Sequence, residues 1–318
     1  MVSYGKFGLG VLGVTTLLAA SGCELQKCEG DDGKSALCVK SLKRYEADAI
    51  APDALAYTAG TDVSVDGVYG DIHVVEGDSG FVRVKFEPFD YRAYDAESAA
   101  REELASKLDT GFSLTDTGFV AQVGRHDSTN GLGADITLYL PPEFDGKLAA
   151  VNHSDGPVNP GDLKLDFVAG ASYLTLSTKH LGDCTARGAP SVGGFRARCD
   201  GNIDVSDVSG VGTIDATGLD GNVTLSLAEI AAGGNISTED GDITLTFPAD
   251  GKFYVSALAS DGGTVNAPLL EESCSLAGTS VKADNSKSFF CGGEDPPGPT
   301  FSLIAGARAG TSTISLGF

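Results

Sequence analysis

An Asp-Gly pair returns at a nearly constant interval in the second half of the chain. It begins at Asp200, Asp220, Asp240 and Asp261, and a short run of alternating apolar and polar residues follows each time. A second glycine series, at Gly212 and Gly234, has a similar spacing of 22 residues. Repeats of about 20 residues with short strands and glycine corners indicate a solenoid, because propeller blades are about twice as long. The sequence predicts an all-β fold, a β-solenoid with a coil of about 20 residues.

The alternation within the repeats predicts which side chains face the core. The positions expected to point inward are Ile203, Val205, Ile214, Val223, Leu225, Ile236, Ile243 and Leu245. Those expected to point outward are Asp204, Thr224, Ser237 and Thr244. The Asp-Gly pair is expected to mark the same corner on successive coils. Glycine would supply a positive φ there, and the Asp side chain would bond to the turn backbone.

The chain divides into a signal peptide over 1–22, a tether with a small cysteine loop over 23–57, and the solenoid over 58–318. One helix is expected near 95–108, because strong helix formers carry acids in the first turn and a lysine near the end. Gly77–Gly80 is expected to form a hairpin turn between strands at 72–75 and 82–86. The segment 300–318 is expected to be a final coil or an edge cover.

The N-terminus predicts the compartment. Lys6 precedes the apolar run FGLGVLGVTTLLAA, which is too short for a membrane span and typical of a secretory signal. The sequence ASGC ending at Cys23 resembles the lipobox of bacterial lipoproteins, although Ala20 stands where Leu is more usual. The resemblance implies cleavage before Cys23 and acylation of Cys23 with chains such as palmitate. Glu24 at the next position favours the outer membrane. An ordinary secretory signal is the alternative.

The chain contains seven cysteines, an odd number for an exported protein. If Cys23 carries lipid, the other six fall into three local pairs. We expect disulfides in an oxidising compartment, and nearest-neighbour pairing suits a locally built fold. Zinc would need Cys-x-x-Cys spacing or clustered histidines, and the sequence has neither. The expected pairs are Cys28 with Cys38, Cys184 with Cys199, and Cys274 with Cys291.

The repeated aspartates are the candidate metal ligands. Stacked about 4.8 Å apart, Asp200, Asp220, Asp240 and Asp261 would form a column of like charges that could recruit Ca²⁺. The alternative is a row of solvated turn residues. The chain lacks the Gly-Gly-x-Gly-x-Asp calcium repeat. No other cofactor is expected.

The acidic residues bear on two further classes of function. Asp204, Asp207 and Asp215 could lie on one face and cleave a polysaccharide, but 201–250 contains no Lys, Arg, Trp or Tyr to support such a site. The net charge of −22 would repel a phosphate backbone, so nucleic acid is not an expected partner.

The repeated Gly-Asp/Asn-Ile/Val-x-Val pattern behind a lipoprotein-like signal resembles the putative-adhesin family of bacterial secreted β-solenoids, of the head GIN type. Residues 63–84 and 201–267 carry the resemblance, with a weaker match across 112–140. It implies an all-β solenoid without catalytic residues to carry over. The expected disulfides and the helix depart from the pattern.

We therefore expect a non-enzymatic, lipid-anchored protein of the cell envelope. Its solenoid surface would serve adhesion, binding of a glycan or protein ligand, or envelope structure. A polysaccharide-active β-helix enzyme and a Ca²⁺-stiffened spacer stay open as alternatives.

Overall fold

The computed structural model describes most of the chain from Cys23 onward. The described residues are 23–29, 35–41, 43–92, 97–126, 131–153, 161–168, 170–179, 182–187, 193–210, 213–260, 262–276, 285–292, 298–308 and 311–318. An antiparallel hairpin, β1 (Cys23–Glu29) and β2 (Ser35–Ser41), forms a separate small sheet. The remaining strands form two twelve-stranded sheets, sheet I and sheet II, with the hydrophobic core between them.

The strands of sheet I are β3 (Lys43–Glu46), β4 (Leu55–Ala56), β6 (Ile72–Glu76), β7 (Phe81–Arg92), β10 (Leu132–Leu140), β12 (Leu163–Leu165), β14 (Cys184–Ala186), β16 (Ile203–Gly210), β18 (Val223–Ile230), β20 (Ile243–Thr246), β22 (Thr264–Asn266) and β26 (Thr313–Gly317). The strands of sheet II are β5 (Val63–Gly67), β8 (Leu108–Thr115), β9 (Gly118–Arg125), β11 (Lys147–Asn152), β13 (Tyr173–Ser177), β15 (Phe195–Cys199), β17 (Ile214–Gly218), β19 (Gly234–Thr238), β21 (Phe253–Ala259), β23 (Ser275–Leu276), β24 (Ser286–Cys291) and β25 (Thr300–Ala305).

Each coil gives one strand to each sheet, and equivalent strands of neighbouring coils pair in parallel. Ile203, Val223 and Ile243 are direct neighbours in sheet I, and Ile214 pairs with Gly234 in sheet II. The two glycine series therefore belong to two sheets. Gly201, Gly221 and Gly241 precede strands of sheet I, whereas Gly234 begins a strand of sheet II. Gly212 lies outside the described residues. The predicted β-solenoid is confirmed.

Alternation places one apolar row of each sheet in the interior. All of the residues predicted to point inward are at most 2% exposed. The residues predicted to point outward are exposed or half-buried. Because stacked β-branched and leucine side chains are removed from water on every coil, burial of about 1.5–3 kcal/mol per side chain drives the stacking.

The N-terminal end departs from chain order. Strands β9 and β10 lie outside β5 and β6, and β11 then returns to pair with β5 on its other side. Strand β10 separates β6 from β7, so the hairpin predicted around Gly77–Gly80 is wrong: the two strands flank a third. Strands β3 and β4 pair with β7, so sheet I begins inside the segment predicted as a tether.

The predicted helix is present as α1 (Glu97–Lys107). Ala100 and Leu104 are buried, and the helix packs against β3 and β7. It thereby covers the end of the solenoid. A second short helix, α2 (Pro268–Ser273), packs against β26 and β24 at the opposite end. Neither helix is long and apolar enough to span a bilayer.

The last strands of the chain lie inside the stack. Strand β25 pairs with β19 on one side and β21 on the other, and β26 lies between β20 and β22 in the same way. The segment 300–318 therefore forms a coil, as predicted, but an inner one. The prediction of a final position or an edge cover is wrong, because residues 253–266 and the β23–β24 hairpin lie beyond it.

We call the coil formed by β25 and β26 the inserted coil, and aromatic side chains fill the core around it. Phe247 stacks on Phe253 with ring centroids 3.8 Å apart, and Phe301 of β25 meets Phe247 edge-on at 5.4 Å. All three rings are buried. Offset and edge-to-face arrangements of this kind add about 0.5–1.5 kcal/mol per pair beyond burial. Phe301 of the inserted coil thus packs against Phe247 after β20 on one side and Phe253 of β21 on the other.

Two of the three expected cysteine pairs lie at disulfide distance. Cys184 bridges to Cys199 with Cα atoms 6.2 Å apart, and Cys274 bridges to Cys291 with Cα atoms 4.6 Å apart. The first bridge is buried between the two sheets, because Cys184 belongs to β14 of sheet I and Cys199 to β15 of sheet II. The side chains of Cys28 and Cys38 lie outside the described part of the structure.

Candidate functional site

The corner glycines are required by close packing between coils. A Cβ on Gly221 would lie 2.4 Å from the backbone carbon of Gly201, and one on Gly241 would lie 2.4 Å from the Gly221 carbonyl oxygen. Neither Gly221 nor Gly241 has a positive φ. The expectation of a left-handed turn is wrong at both positions. Coils approach each other at this corner more closely than any side chain allows.

The side chains that join the coils come two positions after the aspartates of the first three Asp-Gly pairs, at Asn202, Asn222 and Asp242. Asn202 Oδ1 accepts the Asn222 N–H at 2.9 Å, and Asn222 Oδ1 accepts the Asp242 N–H at 2.8 Å. The pattern continues in both directions, with bonds of 2.6–2.9 Å, and ends on the Thr313 N–H. We call it the Asx ladder; its acceptors, in spatial order, are Asp135, Asp71, Asp162, Asp183, Asn202, Asn222 and Asp242.

The first part of the Asx ladder is a run of neighbouring carboxylates. Burial raises the pKa of Asp71, and the charges of Asp135 and Asp162 raise it further. The positive charge of Arg44, whose Nη2 donates to Asp135 Oδ2 at 2.5 Å, lowers the pKa of Asp71 in part. In the middle of the ladder, Asn202 and Asn222 provide the same acceptor without charge. The arrangement is a coil-to-coil connector, and it leaves each Oδ1 occupied by a backbone N–H.

The predicted Ca²⁺ column is interrupted. The Asp220 N–H bonds to the Asp200 carbonyl at 2.9 Å, so these two residues do stack. The Gly241 N–H, however, bonds to the Gly306 carbonyl of the inserted coil. The coil that stacks next to Asp240 at this corner is therefore the inserted coil. Asp261 itself lies outside the described residues. Among the described residues, no group of three or more His, Cys, Asp or Glu side chains could hold a metal.

The inserted coil instead brings a cation to this corner. Arg308 Nη1 lies 2.7 Å from Asp220 Oδ1, and its Nη2 lies 3.1 Å from Glu239 Oε2. The hydrogen bond that Arg308 donates to Glu239 and the negative charge of Asp220 raise the pKa of Arg308. Arg308 therefore offsets part of the negative charge that the sequence predicts to attract Ca²⁺.

The outer face of sheet I carries a concentration of cationic side chains at its N-terminal end. Neighbouring positions along one row are Lys85, Thr137, His73, Lys164 and Thr185. The adjacent row contains Arg83, Tyr139, Val75, Asp166 and Arg187. We call these ten residues the cationic face.

The charged groups of the cationic face are held by specific contacts. Asp166 Oδ2 lies 2.8 Å from both His73 Nε2 and Lys164 Nζ. The hydrogen bonds from Lys164 and then His73 lower the pKa of Asp166. The Arg83 guanidinium lies 5.8 Å from the centre of the Tyr139 ring, within the range of a cation–π contact. One carboxylate thus positions two of the basic side chains on this face.

The charge changes sign further along the solenoid. Residues 200–251 contain ten acidic residues and no Lys or Arg. In this region Asp204 points outward from sheet I and Asp215 from sheet II. The hypothesis that Asp204 and Asp215 share one face is therefore wrong, because alternate strands belong to opposite sheets. Asp215 contacts Arg196 Nε at 3.4 Å instead.

A groove of about 490 Å³ lies where the chain crosses the inserted coil. Its lining includes Glu229 and Ile230 on one side and Asp250, Lys252 and Pro299 on the other. Glu229, Asp250 and Lys252 are exposed. The groove exists because the segment from β20 to β21 must pass over β25 and β26. It brings two carboxylates and one amine to the same depression but no nucleophile–base pair.

Comparison with known proteins places the regular coils near one family. Residues 197–287 match the family model described as Toastrack DUF4097. The match runs from β15 into β24, and the Toastrack domain is a β-solenoid-like fold, as observed here. No curated protein matches the chain.

One solved structure aligns along most of the chain. It is a crystal structure of a "putative cell adhesion protein" from Clostridium sporogenes, and it covers 87% of this chain and 99% of its own. The identity is 12% and the TM-score is 0.30. A likeness at this level carries no argument about function.

The cationic face was missed in the sequence because its residues come from separate segments. Lys164 meets His73 because β12 pairs with β6, and Lys85 joins the same row through Thr137 of the intervening strand β10. The one available signal in the sequence is the alternation of residues 72–75, in which His73 takes an outward position.

Proposed function

We propose that this protein is a non-enzymatic, lipid-anchored component of the bacterial cell envelope, and that its cationic face binds an anionic glycan. Acylation of Cys23 would hold the protein at the outer membrane. The adhesion-type role follows from binding a polymer on a long, flat surface. Toastrack-like coils are consistent with a binding scaffold, and the ligand class is our own inference from the side chains.

The observation that carries the proposal is the clustering of Lys85, Lys164, Arg83 and Arg187 on one face of a chain with net charge −22. Neighbouring strands lie about 4.8 Å apart, so Lys85 and Lys164 are separated by about 14 Å along the row. A polymer with regularly spaced carboxylate or sulfate groups could contact several cations at once. Arg guanidinium groups bind such anions in a bidentate manner, and the Tyr139 ring offers a surface for a sugar.

A binding role is favoured over catalysis by the geometry of the acids. A glycosidase needs two carboxylates that flank one bond. Asp204 and Asp215 face away from each other on opposite sheets, and the Asx ladder oxygens are occupied by backbone donors. Among the ten residues of the cationic face the one carboxylate is Asp166, which Lys164 and His73 hold. Lys85 and Arg83 pair with Glu87 and Asp78 at the edge of the face.

The test is retention of the purified protein on two immobilised anionic probes, heparin and polygalacturonate, with neutral dextran as reference. We expect retention on the anionic probes that weakens as salt rises. The double variant Lys164→Gln/Arg187→Gln should reduce affinity at least tenfold. The matched control, Arg196→Gln/Arg198→Gln, removes the same charge from the outer face of sheet II and should bind as the native protein does. Equal loss in both double variants, or no retention, would contradict the proposal.

The envelope location is tested separately. Metabolic labelling with a palmitate analogue should label the native protein but not a Cys23→Ala variant. Protease treatment of intact cells then distinguishes the two sides of the membrane. Digestion without lysis would support adhesion to an external surface, whereas full protection would assign the glycan ligand to the periplasm.

A further inference from the structure

The outer face of sheet II at the C-terminal end is uncharged. The outward positions of β19, β25, β21 and β24 contain no Asp, Glu, Lys or Arg, although 21% of the chain is charged. Lys287, the one charged residue within these strands, points to the other side, where its Nζ lies 2.5 Å from Glu271 Oε1. We call this surface the uncharged face. It is formed by four adjacent strands that come from three separate parts of the chain.

Apolar side chains are exposed on this face. Ile304 of β25 is 51% exposed, and its direct neighbour Leu258 of β21 is 48% exposed. Phe290 of β24 packs against its cross-strand partner Tyr254, with ring centroids 4.8 Å apart and ring planes tilted by 45°, and remains 38% exposed. Between these two apolar pairs, Ser288 donates to Ser256 at 3.3 Å. The outward hydroxyls are thus partly satisfied within the face, which leaves it both apolar and neutral.

We propose that this uncharged face binds the same face of a second copy of the chain. Two copies that each carry a charge of −22 repel each other over almost any approach. This face is where two copies can meet without bringing acids together, and an isologous contact places Ile304 and Leu258 opposite an equally apolar surface. A basic or acidic partner would find no complementary charge here.

The size of the face sets the strength of the contact. Four strands about 4.8 Å apart, with about five residues each, cover on the order of 300 Å². A standard stable interface buries about 800 Å² on each partner. The dimer is therefore weak and concentration-dependent. The cationic face lies on the other sheet, so dimerisation leaves it accessible, and this proposal stands or falls independently of the glycan ligand.

The test is sedimentation velocity of the purified protein over a range of concentrations, at low and high salt. We expect a monomer–dimer equilibrium that shifts toward dimer as salt rises, because salt screens the repulsion. Ile304→Asp should weaken association at least tenfold, and the milder Ile304→Ser should weaken it less. The control is Leu114→Asp, since Leu114 is 57% exposed at the opposite end of the solenoid and should leave the dimer unchanged. Circular dichroism verifies that each variant is folded.

Several results would overturn the proposal. They are a monomer under all conditions, a dimer that dissociates as salt rises, and loss of the dimer in Leu114→Asp but not in Ile304→Asp. Flotation of the Cys23→Ala variant, which carries no acyl chain, with phosphatidylcholine vesicles tests lipid as the alternative occupant. A protein that stays monomeric but floats with vesicles through Ile304 would show that the face meets a membrane instead.

Discussion

Asn222 both donates and accepts in the Asx ladder: its N–H bonds to Asn202 Oδ1 at 2.9 Å, and its own Oδ1 receives the Asp242 N–H at 2.8 Å. One side chain per coil therefore fixes the separation and the register of the next coil. This role explains why Asp or Asn returns with the same period as the glycines. The repeat encodes a connector between coils and a corner with no room for a side chain.

Replacing Asn222 by Ala should destabilise the protein by about 0.5–1.5 kcal/mol, because the Asp242 N–H loses its partner. Urea unfolding followed by circular dichroism measures the change. Asn235→Ala is the matched control, since Asn235 points outward from β19 and makes no side-chain hydrogen bond within the described residues. Equal effects of the two substitutions would show that the ladder bond contributes nothing.

Replacing Asp71 by Asn should stabilise the protein at neutral pH. In the folded state the pKa of Asp71 is raised by burial and by Asp135 and Asp162, so the native protein holds this proton more tightly than the unfolded chain does. The contribution of Asp71 therefore falls as pH rises from its unfolded pKa through its folded pKa. Asn keeps the Oδ1 acceptor without the charge, as Asn202 does. Melting temperatures between pH 4 and 8 should show a smaller decline for Asp71→Asn, and an unchanged slope would contradict this account.

Replacing Gly221 by Ala should destabilise the protein by roughly 1–3 kcal/mol, because the new methyl group meets the backbone of Gly201. Gly317→Ala serves as the control, since a Cβ at Gly317 has no neighbour within 4 Å and φ there is not positive. The free energies of unfolding of the two variants should differ clearly. If Gly221→Ala is as stable as Gly317→Ala, the corner has more room than the structure indicates.

The two described disulfides should be reduced in a fixed order. Cys184 and Cys199 are fully buried between the sheets, whereas Cys274 is partly exposed near the end of the solenoid. A thiolate must reach the sulfur to reduce it. Mild dithiothreitol treatment, alkylation and mass spectrometry should detect labelled Cys274 and Cys291 first. Earlier labelling of Cys184 would mean that the central coils open before the end does.

Local features of this fold could be predicted from the sequence, and the order of the coils could not. Alternation around Ile203 and Val223 fixes which side chains are buried, because the side-chain period of a strand is two. The same repetition makes coils nearly interchangeable as stacking partners. Nothing in the pattern distinguishes β19 paired with β21 from β19 paired with β25.

The candidate sites depend on the spatial order of the strands, which the sequence pattern does not predict. The cationic face is built across β7, β10, β6, β12 and β14, an order that departs from chain order, and the uncharged face has β25 between β19 and β21. The predicted column of Asp200, Asp220, Asp240 and Asp261 is interrupted for the same reason, since Gly306 of the inserted coil pairs with Gly241. The order of coils along the chain predicts which strands pair only in the region from β11 to β20, where chain order and spatial order agree.

The inner position of β25 and β26 has a consequence for the order of folding. Strands β21 and β22 precede residues 300–318 in the chain, yet the coil on which they stack is made from those later residues. Their pairing partner is therefore absent until residues 300–318 have been synthesised. A chain interrupted before residue 300 would leave strands β19 and β20 with one open edge each. Folding of this end of the solenoid therefore cannot proceed strictly coil by coil along the chain.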